Sequence, residues 1–279
     1  MNAHIAYDNL YGNLLWISSG SIEAAASLDY GLRIMVLRYV GMENLLYRQP
    51  DDRSDGLITE NGWRIYGGHR FWTAPECDNS YYPDNAPVEY VIDEESVMLT
   101  QKTDQWTGLQ KQLRLTFYKD VSLQVEHILT NCSTHSVNAA AWGITTLKGG
   151  GNAEIPYGGC DDGYAPNRVL SLWGDTSLGD SRLSFSADKI LARHDAGIGS
   201  MKLGIYSPYG KISMRNFGQR LEISFLVHPL AAYPDNGCNV ELYLDKHIME
   251  LETLGELKEI APGETITHTE YWRITPELS

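Results

Sequence analysis

The sequence contains few basic residues and no cluster of them. Lysine and arginine number 22 against 36 aspartates and glutamates in 279 residues, which gives a formal net charge of −14. Nucleic acids and anionic lipid surfaces are bound through stripes of lysine and arginine. The composition therefore argues against a nucleic-acid partner and against docking on a membrane. We interpret the acidic excess as a solubility feature.

Long apolar runs and several short functional motifs are also missing. No stretch of about 20 consecutive apolar residues occurs, and no charged-then-apolar leader opens the chain. Neither phosphate-binding glycine motif, G-x-x-x-x-G-K-[ST] or G-x-G-x-x-G, is present. The four cysteines are far apart and form no Cys-x-x-Cys pair, which excludes zinc-finger and redox spacing: Cys77, Cys132, Cys160 and Cys238. We expect a reduced, cytoplasmic protein that holds no metal or cofactor.

Helical periodicity is scarce, and strand periodicity takes its place. No amphipathic helix of more than two turns can be found, whereas short alternating apolar runs recur along the chain, as at 14–17, 33–40 and 123–131. Turn signals follow such runs every ~8–12 residues, which is typical of an all-β sandwich. We interpret 51–62 as a polar loop and the glycine-rich stretch 148–167 as a loop between sheets. The sequence predicts one all-β domain over residues 1–279, with strand content well above the usual ~20–25%.

Carboxylates are concentrated in a predicted hairpin near the C-terminus. Tyr-Pro-Asp-Asn-Gly at 233–237 is typical of a turn, because Pro fixes φ and Asn-Gly accepts positive φ. Alternation then places Glu241 on the polar face of one strand, and Glu250 and Glu252 on that of the next. Like charges repel across a strand pair, so such a cluster destabilises the sheet unless its side chains have a structural or functional role. The side chains could bind sugar hydroxyls, act as a general base, hold a cation together with Asp235, or form an ordinary solvated face.

A second informative segment is Trp-Arg-Ile-Tyr-Gly-Gly-His-Arg-Phe-Trp-Thr-Ala-Pro-Glu at 63–76. The glycine pair allows an unusual turn or a close backbone approach. It delivers His69 and Arg70 among aromatic side chains such as Trp72. Aromatic faces stack on sugar C–H groups and arginine donates forked hydrogen bonds to hydroxyls. The alternative is a buried histidine tied to the backbone and an arginine in a structural ion pair.

These segments carry a family resemblance. Met-Glu-Leu-Glu-Thr-Leu-Gly at 249–255, Ile-Ala-Pro-Gly-Glu at 260–264 and His-Thr-Glu-Tyr-Trp at 268–272 resemble the C-terminal end of the galactose mutarotase-like superfamily, which includes the aldose 1-epimerases. The chain is most similar to bacterial aldose-epimerase-like members of unassigned function, which share Gly-Gly-His-Arg, Tyr-Pro-Asp-x-Gly-Cys-Asn and Glu-Leu-Glu-Thr-Leu. The resemblance implies a supersandwich of two large antiparallel sheets with the ligand on a concave sheet face. It places Glu252 at the position of the catalytic base.

One position departs from the family pattern. Aldose epimerases carry their acid histidine in an Asn-His segment on a central strand, and the equivalent stretch here, 141–144, reads Ala-Trp-Gly-Ile. We therefore assign the acid role to His69, with His228 as an alternative. His127 shares a strand face with apolar residues and is predicted to lie in the core. Trp142 is expected to stack on the sugar instead.

Mutarotation needs a base for the anomeric hydroxyl proton and an acid for the ring oxygen. The sequence predicts an aldose 1-epimerase-related isomerase that opens the ring of a free sugar or sugar derivative, with Glu252 and His69 as the catalytic pair. The alternative is a non-catalytic carbohydrate-binding protein that uses the same surface. In both cases the ligand is a small carbohydrate, and the predicted binding residues are Arg70, Trp72, Glu76, Trp142, Lys202, Asn239, Glu241 and Glu250.

Overall fold

The computed structural model describes residues 1–50, 62–117, 122–158, 163–164 and 167–277. It is 55% strand and 3% helix, which confirms the predicted all-β class. The predicted polar loop at 51–62, apart from Gly62, lies outside the described residues, as does Cys160. Among the described residues, no helix has both the length and the hydropathy that crossing a membrane would require.

The described residues form 21 strands. Those of the first half of the chain are β1 (Asn2–Asp8), β2 (Gly12–Ser19), β3 (Ile22–Ser27), β4 (Arg33–Tyr39), β5 (Gly68–Ala74), β6 (Glu89–Ile92), β7 (Ser96–Thr100), β8 (Leu109–Phe117), β9 (Ser122–Asn131) and β10 (Val137–Lys148). Those of the second half are β11 (Asn152–Pro156), β12 (Leu170–Leu172), β13 (Leu183–Phe185), β14 (Lys189–Arg193), β15 (Met201–Ile205), β16 (Lys211–Asn216), β17 (Gln219–Phe225), β18 (Val240–Leu244), β19 (Ile248–Leu254), β20 (Lys258–Ile260) and β21 (Thr265–Pro276). A 3-10 turn at Asp78–Tyr81 and a short helical turn at Pro234–Gly237 complete the described elements.

The strands form two large antiparallel sheets. The first has eleven strands in the order β1-β2-β3-β4-β5-β10-β19-β18-β15-β12, with β20 paired to one end of β10. The second has ten, in the order β13-β14-β11-β16-β17-β21-β9-β8-β7-β6. The crossing from β10 to β11 carries the chain from the first sheet to the second, as predicted for the glycine-rich stretch. That stretch nevertheless contains β11, which the sequence analysis missed because five residues ending in proline give too short a pattern.

The main core lies between the two sheets. Antiparallel strands with one face in a core alternate buried and half-buried residues, and β9 does so along its whole length. Its Leu123, Val125 and Leu129 are fully buried against inward residues of the first sheet such as Phe71 and Leu251. Full burial of one such side chain contributes about 1.5–3 kcal/mol. The alternating runs therefore set which face of each strand turns inward.

The centre of the first sheet is buried on both faces. All seven residues of β19 are buried, because a second apolar cluster that includes Trp63, Trp72, Trp142 and Ile144 covers the outer face there. Cross-strand register runs from Arg70 on β5 to Ile144 on β10, then to Glu252 on β19 and Glu241 on β18. Directly paired residues share a sheet face. Arg70, Glu252 and Glu241 therefore lie in one row on the outer face, and Glu250 lies on the same face in the neighbouring row.

Glycines 67 and 68 allow two chain segments to approach closely. Both have positive φ, 89° and 71°. A Cβ on Gly67 would lie 2.3 Å from the carbonyl oxygen of Tyr47, and a Cβ on Gly68 would lie 2.4 Å from that of Ile34. The predicted unusual turn and close approach are thus confirmed, and they set where β5 begins.

The turn before β18 is also as predicted. Asp235, Asn236 and Gly237 have φ values of 50°, 66° and 94°, in the left-handed region. The Asp235 carbonyl oxygen accepts hydrogen bonds from Ser171 Oγ (2.9 Å) and from Cys238 Sγ (3.0 Å). The turn is thereby fixed to β12 beside the start of β18.

Replacement of Gly68 by alanine should destabilise the fold more than a positive φ alone explains. The left-handed conformation costs about 1–2 kcal/mol for alanine, and the Ile34 carbonyl must also move. We expect Gly68→Ala to lower the free energy of unfolding by roughly 3 kcal/mol or more in denaturant titrations. Gly41→Ala is the matched control, since Gly41 has φ 80° with no atom within 4 Å of its Cβ position; it should cost only about 1–2 kcal/mol. Equal losses would show that the close approach at Gly68 relaxes without cost.

Candidate functional site

A cleft of about 320 Å³ opens on the outer face of the first sheet. Its floor comes from β5, β10, β15, β18 and β19, and its rim from the segments around them. The side chains that line it are aromatic, charged or aliphatic: Trp63, Ile65, Arg70, Trp72, Glu76, Tyr81, Trp142, Ile144, Trp173, Asp175, Lys202, Tyr243, Asp245, Ile248, Glu250 and Glu252. An apolar cleft with a few convergent polar groups is the usual form of a small-molecule site.

Glu252 lies at the floor and is held through one oxygen. Its Oε2 accepts hydrogen bonds from Trp142 Nε1 (3.0 Å) and from Lys202 Nζ (3.0 Å). Its Oε1 has no hydrogen-bond partner among the described residues. Burial raises the pKa of Glu252 above its ordinary value, although Lys202 opposes the shift. One oxygen is therefore anchored and the other remains available to accept a proton.

Lys202 lies between two carboxylates. Its Nζ is 2.8 Å from Glu241 Oε2 and 3.0 Å from Glu252 Oε2, and it also lies over the rings of Trp142 and Trp173, at 4.5 and 4.9 Å from their centroids. Burial acts to lower the pKa of Lys202, but the two carboxylates outweigh it and raise the pKa. The side chain is 9% exposed, so it is a buried cation of the site rather than a surface lysine.

Glu241 lies beneath Lys202. It is fully buried, and burial followed by repulsion from Glu252 raises its pKa well above the ordinary value. The strand beside it has Gly204 at the paired position, where a Cβ would lie 3.3 Å from Glu241 Cγ and 2.7 Å from Cys238 Sγ. The absence of a side chain at Gly204 leaves the space that the glutamate fills.

Arg70 and Glu250 form the second charged pair of the cleft. Arg70 Nη1 is 2.9 Å from Glu250 Oε1 and 3.2 Å from Thr146 Oγ1, and the Thr146 hydroxyl donates to the same carboxylate oxygen at 2.7 Å. The Arg70 guanidinium lies 4.7 Å from the centroid of the Trp72 ring. Arg70 therefore forms an ion pair, which was the alternative interpretation of its sequence motif. This pair lies on the wall of the cleft.

The aromatic rings pack against one another as one wall. Trp72 is in contact with Trp63, Trp142 and Tyr81, with centroid separations of 5.4, 5.6 and 5.3 Å. The tilted and edge-on arrangements of these rings are the preferred ones. The wall therefore presents ring surface to the cleft.

Seven of the ten predicted site residues line this cleft: Arg70, Trp72, Glu76, Trp142, Lys202, Glu250 and Glu252. Glu241 lies directly beneath it, in contact with Lys202. The carboxylates considered as possible cation ligands are not grouped together: Glu241 and Glu250 are paired with Lys202 and Arg70, and Asp235 belongs to the turn before β18.

Asn239 does not reach the cleft, so the prediction that it contacts the ligand is wrong. Its Oδ1 accepts from the Ser207 backbone N–H (2.7 Å) and its Nδ2 donates to the Ser207 carbonyl (2.9 Å). It is fully buried. Its side chain closes the loop after β15 onto the start of β18.

The prediction that His69 shares the cleft with Glu252 is also wrong. His69 pairs with Thr145 across the sheet, one position from the Arg70–Ile144 pair, so its side chain points into the space between the sheets. There its ring packs edge-on against Trp272, with centroids 4.7 Å apart. The alternative acid, His228, lines a separate pocket with Glu256 and Tyr233. Among the described residues, no histidine lines the cleft.

His69 instead belongs to a buried polar network. His127 Nδ1 lies 3.1 Å from the His268 carbonyl oxygen and must donate to it, so Nε2 of neutral His127 accepts from His69 Nε2 at 2.8 Å. The Thr145 hydroxyl, 3.0 Å from His69 Nδ1, then donates. Burial lowers the pKa of all three histidines, well below the ordinary value for His69 and to about 4 for His127 and about 3 for His268. The network is neutral, and His127 lies in the core as predicted.

Glu270 ends this network. It accepts hydrogen bonds from the Thr253 hydroxyl and from Trp272 Nε1, the latter at 2.6 Å, and His268 Nε2 lies 2.7 Å from the same hydroxyl. One carboxylate oxygen of Glu270 also lies within 4.8 Å of a ring nitrogen of His69 and of one of His127. Burial raises the pKa of Glu270 to about 7. All of these groups face the inter-sheet core and none lines the cleft.

The cleft also contains residues that sequence reasoning did not select: Trp63, Tyr81, Trp173, Asp175, Tyr243 and Asp245. Tyr243 could have been found, because it lies two residues after Glu241 on the same strand and therefore shares its face. Trp63 stands in the aromatic segment already singled out. Trp173, Asp175 and Asp245 lie in turns without periodicity, and only the tertiary fold brings them to the rim.

The pH dependence of unfolding should separate Glu270 from the histidines. The folded-state pKa of Glu270 is raised from 4.5 to about 7, so its contribution is present below pH 4.5 and is lost as the pH rises through 7. The stability of the wild type relative to Glu270→Gln should thus fall by about 2–3 kcal/mol from pH 5 to pH 8 in denaturant titrations. His127→Gln should show the opposite sign, because the pKa of His127 is depressed and its contribution is lost as the pH falls. A Glu270→Gln profile parallel to the wild type would contradict the assignment.

Comparison with known proteins agrees with the architecture. No protein-family model matches the chain, and no curated protein matches it. Among solved structures, a TPR-domain containing protein from Parabacteroides distasonis is 18% identical with a TM-score of 0.66 over 96% of this chain, which spans only 48% of that protein. A galactose mutarotase-like protein from Lactobacillus casei is 10% identical with a TM-score of 0.63, over 94% of this chain and 100% of that one. A galactose mutarotase related enzyme from Lactobacillus acidophilus is 11% identical with a TM-score of 0.57, over 95% and 98%. The chain has the galactose mutarotase-like fold, as its sequence motifs predicted.

Proposed function

We propose that the cleft binds a free sugar and that Glu252 acts there as the general base of ring opening, as in an aldose 1-epimerase-related isomerase. The observation that carries the proposal is the buried Glu252 carboxylate at the floor of an aromatic cleft, with Oε2 anchored and Oε1 available. The cleft volume of about 320 Å³ suits a monosaccharide-sized ligand.

The environment of Glu252 suits a base. A catalytic carboxylate works best when its pKa lies near the operating pH, and burial raises the pKa of Glu252 in that direction. The Trp142 indole and the Lys202 ammonium both donate hydrogen bonds to the Glu252 carboxylate. These bonds favour its ionised form, which is the form that accepts a proton. Because both donors bind Oε2, they also fix the direction in which Oε1 points.

Ring opening also needs a proton for the ring oxygen, and the cleft can supply it without histidine. Tyr243 lines the cleft, and burial followed by the charge of Asp245 raises its pKa, so the phenol stays protonated. Its hydroxyl makes no hydrogen bond within the described part of the chain. In the proposed reaction Glu252 takes the anomeric hydroxyl proton, the ring C–O bond breaks, and Tyr243 protonates the ring oxygen; closure on either face of the aldehyde reverses these steps.

A non-catalytic carbohydrate-binding protein is the second candidate. The observation that favours it is the position of His69 on the opposite face of the sheet, which leaves the described lining of the cleft without the histidine acid that aldose epimerases use. The same aromatic wall and carboxylates would then bind the sugar hydroxyls and C–H faces without turnover.

Substitution of Glu252 by glutamine tests the catalytic proposal. The change keeps the size of the side chain and removes the base, so anomer interconversion of a bound aldose, followed by NMR exchange or optical rotation, should slow by ~10²–10⁴-fold. Glu259→Gln, at an exposed carboxylate on β20, is the matched control and should leave the rate unchanged. Equal rates in Glu252→Gln and wild type would remove Glu252 from the catalytic role. A wild-type rate no higher than the spontaneous one on any aldose would favour the binding protein.

The hydrogen bond from Trp142 gives a second test through pH. Trp142→Phe removes a donor to the Glu252 carboxylate, so the pKa of the base should rise and the acidic limb of the kcat/KM profile should move up by roughly one pH unit. Trp72→Phe is the matched control, because Trp72 lines the same cleft without a hydrogen bond to Glu252. A similar shift in both variants would show that the effect comes from lost aromatic surface instead.

A further inference from the structure

We infer that the cleft selects an aldose that carries a protonated amine, a hexosamine, over the neutral sugar and against a sugar phosphate or sugar acid. This inference rests on the proposed sugar site and specifies its substrate class. It depends on how the charges of the cleft are paired and on where the unpaired charges lie.

The two cations of the cleft are already compensated. Lys202 Nζ is within 3.0 Å of both Glu241 and Glu252, and its remaining surroundings are the faces of Trp142 and Trp173. Arg70 is paired with Glu250 at 2.9 Å. A phosphate or carboxylate on the ligand would have to displace one of these buried carboxylates in order to gain a cation. Separation of a buried pair costs about 3–5 kcal/mol, so an anionic substituent gains little here.

Three further carboxylates line the cleft without a cation. Glu76 Oε1 accepts from the Tyr81 hydroxyl at 2.5 Å, Asp175 Oδ2 accepts from Ser200 Oγ at 2.5 Å, and Asp245 Oδ1 accepts from the backbone N–H of His247 and Ile248. Within the described part of the chain, none of the three forms an ion pair. The lining thus contains five carboxylates and two cationic side chains, so its formal charge is negative.

The walls strengthen this negative potential. Glu76 and Asp175 are exposed at the rim and Asp245 is half-buried, while the wall below them is apolar and aromatic. Low-dielectric walls focus the field of like charges into a cleft, and aromatic faces add their own attraction for an ammonium group. The same charges act on Tyr243. Burial raises the pKa of its phenol most, and the charges of Asp245 and Glu250 raise it further. A ligand ammonium near this rim therefore gains binding free energy from charge attraction, and a neutral hydroxyl does not.

The test compares ligands that differ at one substituent. Glucose and galactose, each with its 6-amino-6-deoxy and 6-acetamido-6-deoxy derivative and its 6-phosphate, are titrated by calorimetry or ligand-observed NMR into the full chain. At low salt the amino sugar should bind roughly five- to thirtyfold more tightly than the neutral one, as expected for one added charge interaction. The acetamido sugar controls for size and should not gain, and the phosphate should bind more weakly than the neutral sugar. The gain should disappear at about 1 M salt, where the screening length is about 3 Å.

Two rim variants locate the effect. Asp175→Asn and Asp245→Asn should each lower the ratio of amino-sugar to neutral-sugar affinity at least twofold. Asp93→Asn, in the turn before β7 on the other sheet, is the control and should leave that ratio unchanged. Equal affinity for amino and neutral sugars, or a preference for the phosphate, would overturn the inference and leave the sugar site standing. Failure of every sugar in the series to bind would overturn the proposed function as well. If the rim variants do not fold, the salt and ligand series on the wild type still decide between these outcomes.

Discussion

The site depends on one ammonium group between two carboxylates. Glu241 and Glu252 are directly opposed on β18 and β19, a position at which like charges destabilise a sheet. Lys202, from the next strand, lies 2.8 Å from one and 3.0 Å from the other. Loss of one partner from such a buried group costs about 3–5 kcal/mol. The arrangement therefore persists only because β15 brings Lys202 beside them, and it fixes Glu252 at the floor of the cleft.

The alternation of strand residues divides the polar groups of the first sheet into two sets. On β5, His69 points into the inter-sheet core and Arg70 points into the cleft. On β19, Thr253 joins the network of Glu270 while Glu252 joins Lys202. Both sets are buried, yet the histidines of the core set are neutral and bind only within that set, whereas the cleft set is charged and opens to solvent. This separation is why we place the chemistry on the outer face alone.

Much of the fold could be predicted from local patterns. Turn residues at 233–237 and the alternation around Glu241 and Glu252 gave the hairpin and its polar face, because strand period and turn chemistry are local properties. The face of β5 that carries His69 could not be read in the same way. Trp63, His69 and Arg70 stand among aromatic residues that are buried on both faces of the sheet, so no alternation of apolar and polar residues marks which side chain turns outward. Asn239 was misplaced for a related reason, since it lies before β18 begins and closes a loop. The rim residues Asp175 and Asp245 come together through tertiary contacts that no sequence spacing encodes.

The most direct test of the account is the response of the indole N–H signals of the seven tryptophans to a sugar titration. Trp142 donates its indole N–H to Glu252 in the cleft, at 3.0 Å, and Trp272 donates its own to Glu270 in the core, at 2.6 Å. In ¹⁵N-labelled protein, with each signal assigned by a Trp→Phe variant, we expect an aldose to shift the signals of Trp142, Trp72 and Trp63 in a saturable manner and to leave that of Trp272 unchanged. Saturable shifts confined to Trp272, or to tryptophans outside the cleft such as Trp16 and Trp106, would contradict it.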